Sequence, residues 1–136
     1  MSAAANGAKP NELIMSIFGN DYEINHFNSA IEKFTTDNGF SMRFTRYVKL
    51  VFEEVVSLNL VPYSEAYYNI YPISIDALYS AAEETVKINF RYSGMDYDPI
   101  EGIDDLSAAI VKKIAEDVQY SYVDGVNYLY VLLKKE

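Results

Sequence analysis

Residues 118–133 read VQYSYVDGVNYLYVLL. Two runs rich in Val, Tyr and Leu flank Asp124-Gly125. Asp-Gly is a pair favoured in a type I′ hairpin turn, because both central residues need positive φ. A two-residue turn fixes the register: Ser121 faces Tyr128 and Gln119 faces Tyr130. Val118, Tyr120, Leu129 and Val131 then share one face. That face is apolar and is expected to meet helices, while Tyr128 and Tyr130 lie on the other.

Upstream of the hairpin, residues 104–117 read as a helix with Leu106, Ile110 and Ile114 on its core side. Residues 93–102 form a loop carrying Gly94, Asp96, Asp98 and Pro99. Residues 73–79 and 85–92 read as two strands joined by a turn at residues 81–84. In the second, Val86, Ile88, Phe90 and Tyr92 alternate with Lys87, Asn89 and Arg91, which predicts one buried and one wet face. Residues 63–72, YSEAYYNIYP, have no clean period and read as a loop.

Further upstream lie two helices. Residues 21–38 place Ile24, Phe27, Ile31 and Phe34 on one side, and Gly39 sits where a left-handed cap belongs. Ser41 is the expected N-cap of the next helix. Its stripe is Phe44, Tyr47, Val48, Val51, Phe52, Val55 and Leu58, and Pro62 is expected to end it. Residues 13–18, LIMSIF, read as a strand. The order is βααββαββ, with no internal repeat. The expected class is α+β, a mainly antiparallel sheet with helices packed on one face. Residues 1–11 read as a flexible tail or linker, and residues 12–136 as one domain.

Composition narrows the function classes. The chain has 136 residues, half of them hydrophobic, with 20 acidic against 11 basic and a net charge of −9. No Lys/Arg cluster offers phosphate a basic face, so nucleic acid and anionic membrane surfaces are poor partners. There is no cysteine, which excludes disulfides and thiol chemistry and fits a cytoplasmic protein. No apolar run approaches the roughly 20 residues of a membrane span.

Three stretches in this order resemble the anti-sigma-factor serine kinases of the GHKL, or histidine kinase-like, ATPase superfamily. Residues 52–57, FEEVVS, resemble the late-helix E-E-L-V-x-N segment that supplies a catalytic Glu and a magnesium-binding Asn. Residues 88–99, INFRYSGMDYDP, resemble the strand-then-loop segment V-x-D-x-G-x-x-F-D-P, whose Asp holds the adenine amino group. Residues 105–118 and the hairpin after them resemble the closing helix and hairpin, where a G-L-G-L run cradles phosphate. Gly94, Asp98-Pro99 and Asp124-Gly125 fall in register. The resemblance covers most of residues 12–134 and implies a histidine kinase-like ATPase sandwich.

Departures from those motifs imply that the nucleotide site is degenerate. Leu58 stands where the magnesium Asn is expected, and a leucine offers no oxygen to a hard cation. Asn59 is adjacent, but one residue turns an α-helix by about 100°, which points it elsewhere. Tyr92 replaces the adenine-binding Asp. Asp105-Leu106-Ser107-Ala108 replaces the phosphate turn, so Asp105 and Ser107 put side chains where glycine left room. Glu54 keeps the general-base position as a relic. No bound cofactor or metal is expected.

Other candidates have plain readings. Glu53-Glu54 reads most simply as two solvated acids, Asp96 and Asp98 as turn residues, and His26 as an idle surface group. No nucleophile-elbow sequence supports a Ser/His/Asp triad. The 13 tyrosines are the unusual feature. Tyr128 and Tyr130 on the outer sheet face, and Tyr67 and Tyr68 in the loop that includes Tyr63 and Tyr71, are the expected protein-binding residues, because tyrosine gives area and a hydrogen bond at low entropic cost. The resulting expectation is a non-catalytic regulatory domain that binds a protein, by resemblance a sigma factor or an antagonist-like regulator, with a homodimer as the simplest occupant. An active ATP-dependent serine kinase is the alternative, and a regulatory or dimerisation module of a larger protein is a third.

Overall fold

The computed structural model describes residues 10–66, 71–101 and 106–135. Strands β1 (Glu12–Ile17), β2 (Ile73–Ser80), β3 (Thr85–Ser93), β4 (Asp117–Val123) and β5 (Val126–Lys134) form one sheet. Its order is β1-β2-β3-β5-β4, and every neighbouring pair is antiparallel. The helices are α1 (Asp21–Asp37), α2 (Met42–Phe52), a π-helical segment (Glu53–Leu60), α3 (Val61–Ala66) and α4 (Leu106–Ile114).

The hairpin has the register its turn dictates. Asp124 and Gly125 have φ of 51° and 78°, the two positive values that a type I′ turn needs. Gln119 pairs with Tyr130 and Ser121 with Tyr128. β5, not β4, lies against β3, so the hairpin closes the sheet with β4 at its edge.

Alternation sorts each strand into two faces. Leu13, Met15, Ile17, Ile73, Ile75, Val86, Ile88, Phe90, Leu129, Val131 and Leu133 are buried in a single cluster with residues of the helices. Phe27 of α1, Phe52 of α2 and Phe90 of β3 meet edge to face in series, which ties both helices to the centre of the sheet. The opposite face carries Ile14, Asp76, Asn89, Arg91 and Tyr128, all exposed. The α+β class and the antiparallel sheet are thus as the sequence reads.

Helix starts follow their caps. The Asn20 side chain accepts from the Glu23 N–H at 2.9 Å, and the Ser41 hydroxyl from the Phe44 N–H at 3.1 Å. Gly39 takes φ of 65° just past α1, where a Cβ would be strained.

The second helix departs from expectation. It does not end at Pro62 but runs through the π-helical segment into α3, where Pro62 holds the second position. In the π-helical segment, i→i+5 closure sets residues five apart above one another. Val51 and Val56, and Val55 and Leu60, are all fully buried. Leu58, expected on the apolar stripe, is 54% exposed. Residues 63–66, expected in a loop, are helical, and Tyr63 is buried.

The phase of α4 also differs. Ile114 packs against the core as expected, but Ala108 and Val111 are the buried residues and Leu106 is 75% exposed. Asp104 and Asp105 lie outside the described residues, as do Tyr67, Tyr68 and residues 1–9 of the expected tail; the Ser107 side chain is likewise not described. Asn11, at the end of that tail, is bonded to Tyr79 through both its side chain and its carbonyl. Among the described residues no helix is long and apolar enough to cross a membrane.

Candidate functional site

The inner face of β3 ends at Tyr92, and the chain then folds back as a loop over residues 94–101. Gly94 makes that reversal with φ of 132°, a region other residues rarely enter. Its N–H donates to the Gly125 carbonyl at 3.0 Å, which fastens the loop to the hairpin turn.

Asn127 anchors the loop from below. It is fully buried on the inner face of β5, between apolar neighbours. Its Nδ2 donates to the carbonyls of Tyr92 and Met95, each at 3.0 Å, and its Oδ1 accepts from the Tyr97 N–H at 2.9 Å. The Tyr120 hydroxyl accepts from the same Tyr97 N–H at 3.0 Å and has one proton to give, which goes to the Asp96 carboxylate, with Asn127 Oδ1 beside it. The Tyr122 hydroxyl donates to the Gly94 carbonyl at 2.7 Å.

The helices close the other side. The rings of Tyr63 and Tyr97 stack 4.6 Å apart and 6° from parallel, and Tyr63 meets Tyr92 edge to face. The Tyr63 hydroxyl donates to the Met95 carbonyl at 2.8 Å, and the Tyr97 hydroxyl to Asn59 Oδ1 at 3.3 Å. The Tyr92 hydroxyl donates to the Tyr97 carbonyl at 2.6 Å. Loop, hairpin and helix thus share one network of tyrosines and asparagines.

The electrostatics follow from burial. Tyr92 is pushed far above the ordinary phenol range, first by desolvation and then by the neighbouring Tyr120 and Asp98. Tyr120 is raised as well, by desolvation and by its hydrogen bond to Asp96. Burial also raises the Asp98 carboxyl, although the Ile100 N–H, 2.9 Å from its Oδ1, opposes the shift. Tyr92 and Tyr120 therefore act as neutral hydrogen-bonding groups near neutral pH.

The expected site residues divide. Tyr92 and Gly94 are in the network, and the side chain of Asn59 reaches it. Asn59 also donates to the Glu54 carbonyl, because the π-helical segment places it five residues on and on the same side. Leu58 faces solvent. An α-helical reading puts Leu58 toward the site and Asn59 away from it; π-helical geometry exchanges the two. Glu53 is exposed, but Glu54 is only 8% exposed and is not the solvated acid its sequence suggests. Its Oε2 is buried without a hydrogen-bond partner among the described residues. His26 is half-buried, with Tyr22 against its ring.

Tyr128 and Tyr130 lie outside the network on the outer sheet face, where Tyr128 is 43% exposed. They line a cleft of about 350 Å³ with Ile14, Ser74, Asp76 and Arg91. Among the described residues no group of three or more His, Asp or Glu is placed to hold a metal ion. Asn127 and Tyr97 were missed from sequence, although a lone Asn between apolar neighbours on the inner face of β5 was a usable signal. No protein-family model matches the chain, and no curated protein matches it.

Proposed function

We propose that this domain is a non-catalytic regulator that binds protein, a degenerate relative of the anti-sigma-factor serine kinases. In this reading the sheet and its helices are a histidine kinase-like sandwich, and the partner is a sigma factor or an antagonist-like regulator in the cytoplasm. The observation that carries it is Tyr92. At the position assigned to the adenine anchor stands a buried phenol whose hydroxyl is already engaged by the Tyr97 carbonyl. The stacked Tyr63 and Tyr97 rings lie beside it. A neutral phenol with its one proton committed does not replace a carboxylate acceptor.

One observation favours the active-kinase alternative. Glu54 is buried, and the π turn sets Asn59 on its side of the helix, as a general base and a magnesium ligand would stand. Against it, the Asn59 oxygen accepts from the Tyr97 hydroxyl.

The binding surface in this proposal is the outer sheet face around Tyr128 and Tyr130. Rings beside Arg91 and Asn89 are apolar enough to bury and polar enough to stay bare. The test is affinity capture from the native host with the wild type and with Tyr128→Ser/Tyr130→Ser. The proposal expects a regulator retained by the first and lost by the second. Equal capture by both would place the interface elsewhere.

A further inference from the structure

A groove runs between α1 and α2, away from both the tyrosine network and the outer sheet face. One part is a cleft of about 640 Å³ whose lining includes Phe40, Met42, Arg46 and Leu50. An adjoining cleft of about 270 Å³ is lined by residues that include Asn28, Phe52 and Ser57. Glu32, Lys49 and Glu53 border both. Met42 stands at the first with 81% of its surface exposed. A long apolar side chain left bare beside a groove is a feature of contact surfaces.

Met42, Arg46, Lys49 and Glu53 recur every three or four residues and so share one side of the helix. Arg46 and Glu53 are exposed, and neither forms an ion pair among the described residues. Lys49 between them is held by Glu32 at 2.5 Å. This stripe is self-complementary. Reversed about a twofold axis between Lys49 and Leu50, it sets Arg46 opposite Glu53 and Met42 opposite Ser57.

We infer that α2 docks antiparallel on α2 of a second copy of this chain, with Met42 of each copy entering the cleft beside Ser57 of the other. Twofold symmetry makes two Arg46–Glu53 contacts from one match. Each Lys49 comes to the axis already neutralised by Glu32. Two chains of net charge −9 repel each other at long range, so local charge matching sets the register. This dimer leaves the outer sheet face free for a different partner.

Sedimentation equilibrium on the intact chain tests the inference. The wild type is expected to be a dimer. Arg46→Glu or Glu53→Arg alone should weaken it about tenfold or more, because each places like charges together twice. The double reversal should restore association, and Tyr128→Ser/Tyr130→Ser should leave it unchanged. Arg46 and Glu53 are exposed, so circular dichroism should show every variant folded. A wild type that stays monomeric at its highest soluble concentration would overturn the inference. So would a dimer indifferent to the single reversals, or a double variant no stronger than the singles.

Discussion

The Tyr92 hydroxyl donates to the Tyr97 carbonyl across 2.6 Å, joining the last inward residue of β3 to the loop that follows it. Tyr92→Phe keeps the ring and removes the bond. The expected loss is about 1–2 kcal/mol. Asn127→Ala removes three hydrogen bonds at once, from the Tyr97 N–H and to the carbonyls of Tyr92 and Met95, and should cost about 3 kcal/mol. Urea unfolding measures both. An Asn127 variant no weaker than the Tyr92 variant would mean that the loop is not anchored as described.

Stability should fall at alkaline pH. Tyr92 and Tyr120 have phenol groups raised in the folded state. Up to the ordinary phenol range near ~10 both states hold these protons, and their contribution is fully present. Above it the unfolded chain ionises first, and stability declines with rising pH. Denaturant midpoints measured from neutral to strongly alkaline pH should show this decline, and it should be smaller in Tyr92→Phe. For Asp98, raised by burial, the contribution is present below the unfolded carboxyl pKa and lost as pH rises through the folded one. Asp98→Asn should therefore flatten the mildly acidic part of the profile.

The π-helical segment makes its own prediction. Val56 is fully buried and Leu58 is exposed. Val56→Ala should cost about 1–3 kcal/mol, and Leu58→Ala should stay within about 0.5 kcal/mol. An ordinary α-helix with Leu58 on the core stripe would give Leu58→Ala a core-sized cost. Across the sheet, Ile88→Ala should be costly, whereas Lys87→Ala should be mild, since Lys87 lies on the outer face and pairs with Glu83 on the surface.

What sequence revealed and what it missed have physical reasons. The hairpin was legible because Asp124-Gly125 specifies its own turn and the turn specifies the register. β2 and β3 were legible through strict alternation, and both long helices through Ser41 and Gly39 at their ends and through their apolar spacing. The run through Pro62 was not legible, because a period of 3.6 was assumed for residues that follow i→i+5 closure. That assumption reversed Leu58 and Asn59 and left Glu54 on the surface. The first turn of α4 was misread because Ala108 and Val111 are smaller than the exposed Leu106, while Ile114 packs against the core as expected. The tyrosine network joins β3, β5 and the helical segment, contacts that no local pattern encodes.

In the proposed function the position assigned to adenine is filled by the protein's own side chains, Tyr92 with Tyr63 and Tyr97 beside it. Isothermal calorimetry with Mg-ATP is the most direct measurement. In the proposed reading the adenine acceptor and the phosphate turn are replaced and Asn59 is engaged by the Tyr97 hydroxyl; at about 1–3 kcal/mol per lost polar contact, no heat of binding is expected even at millimolar nucleotide. A saturable isotherm of one-to-one stoichiometry and micromolar affinity would contradict the claim and favour the kinase.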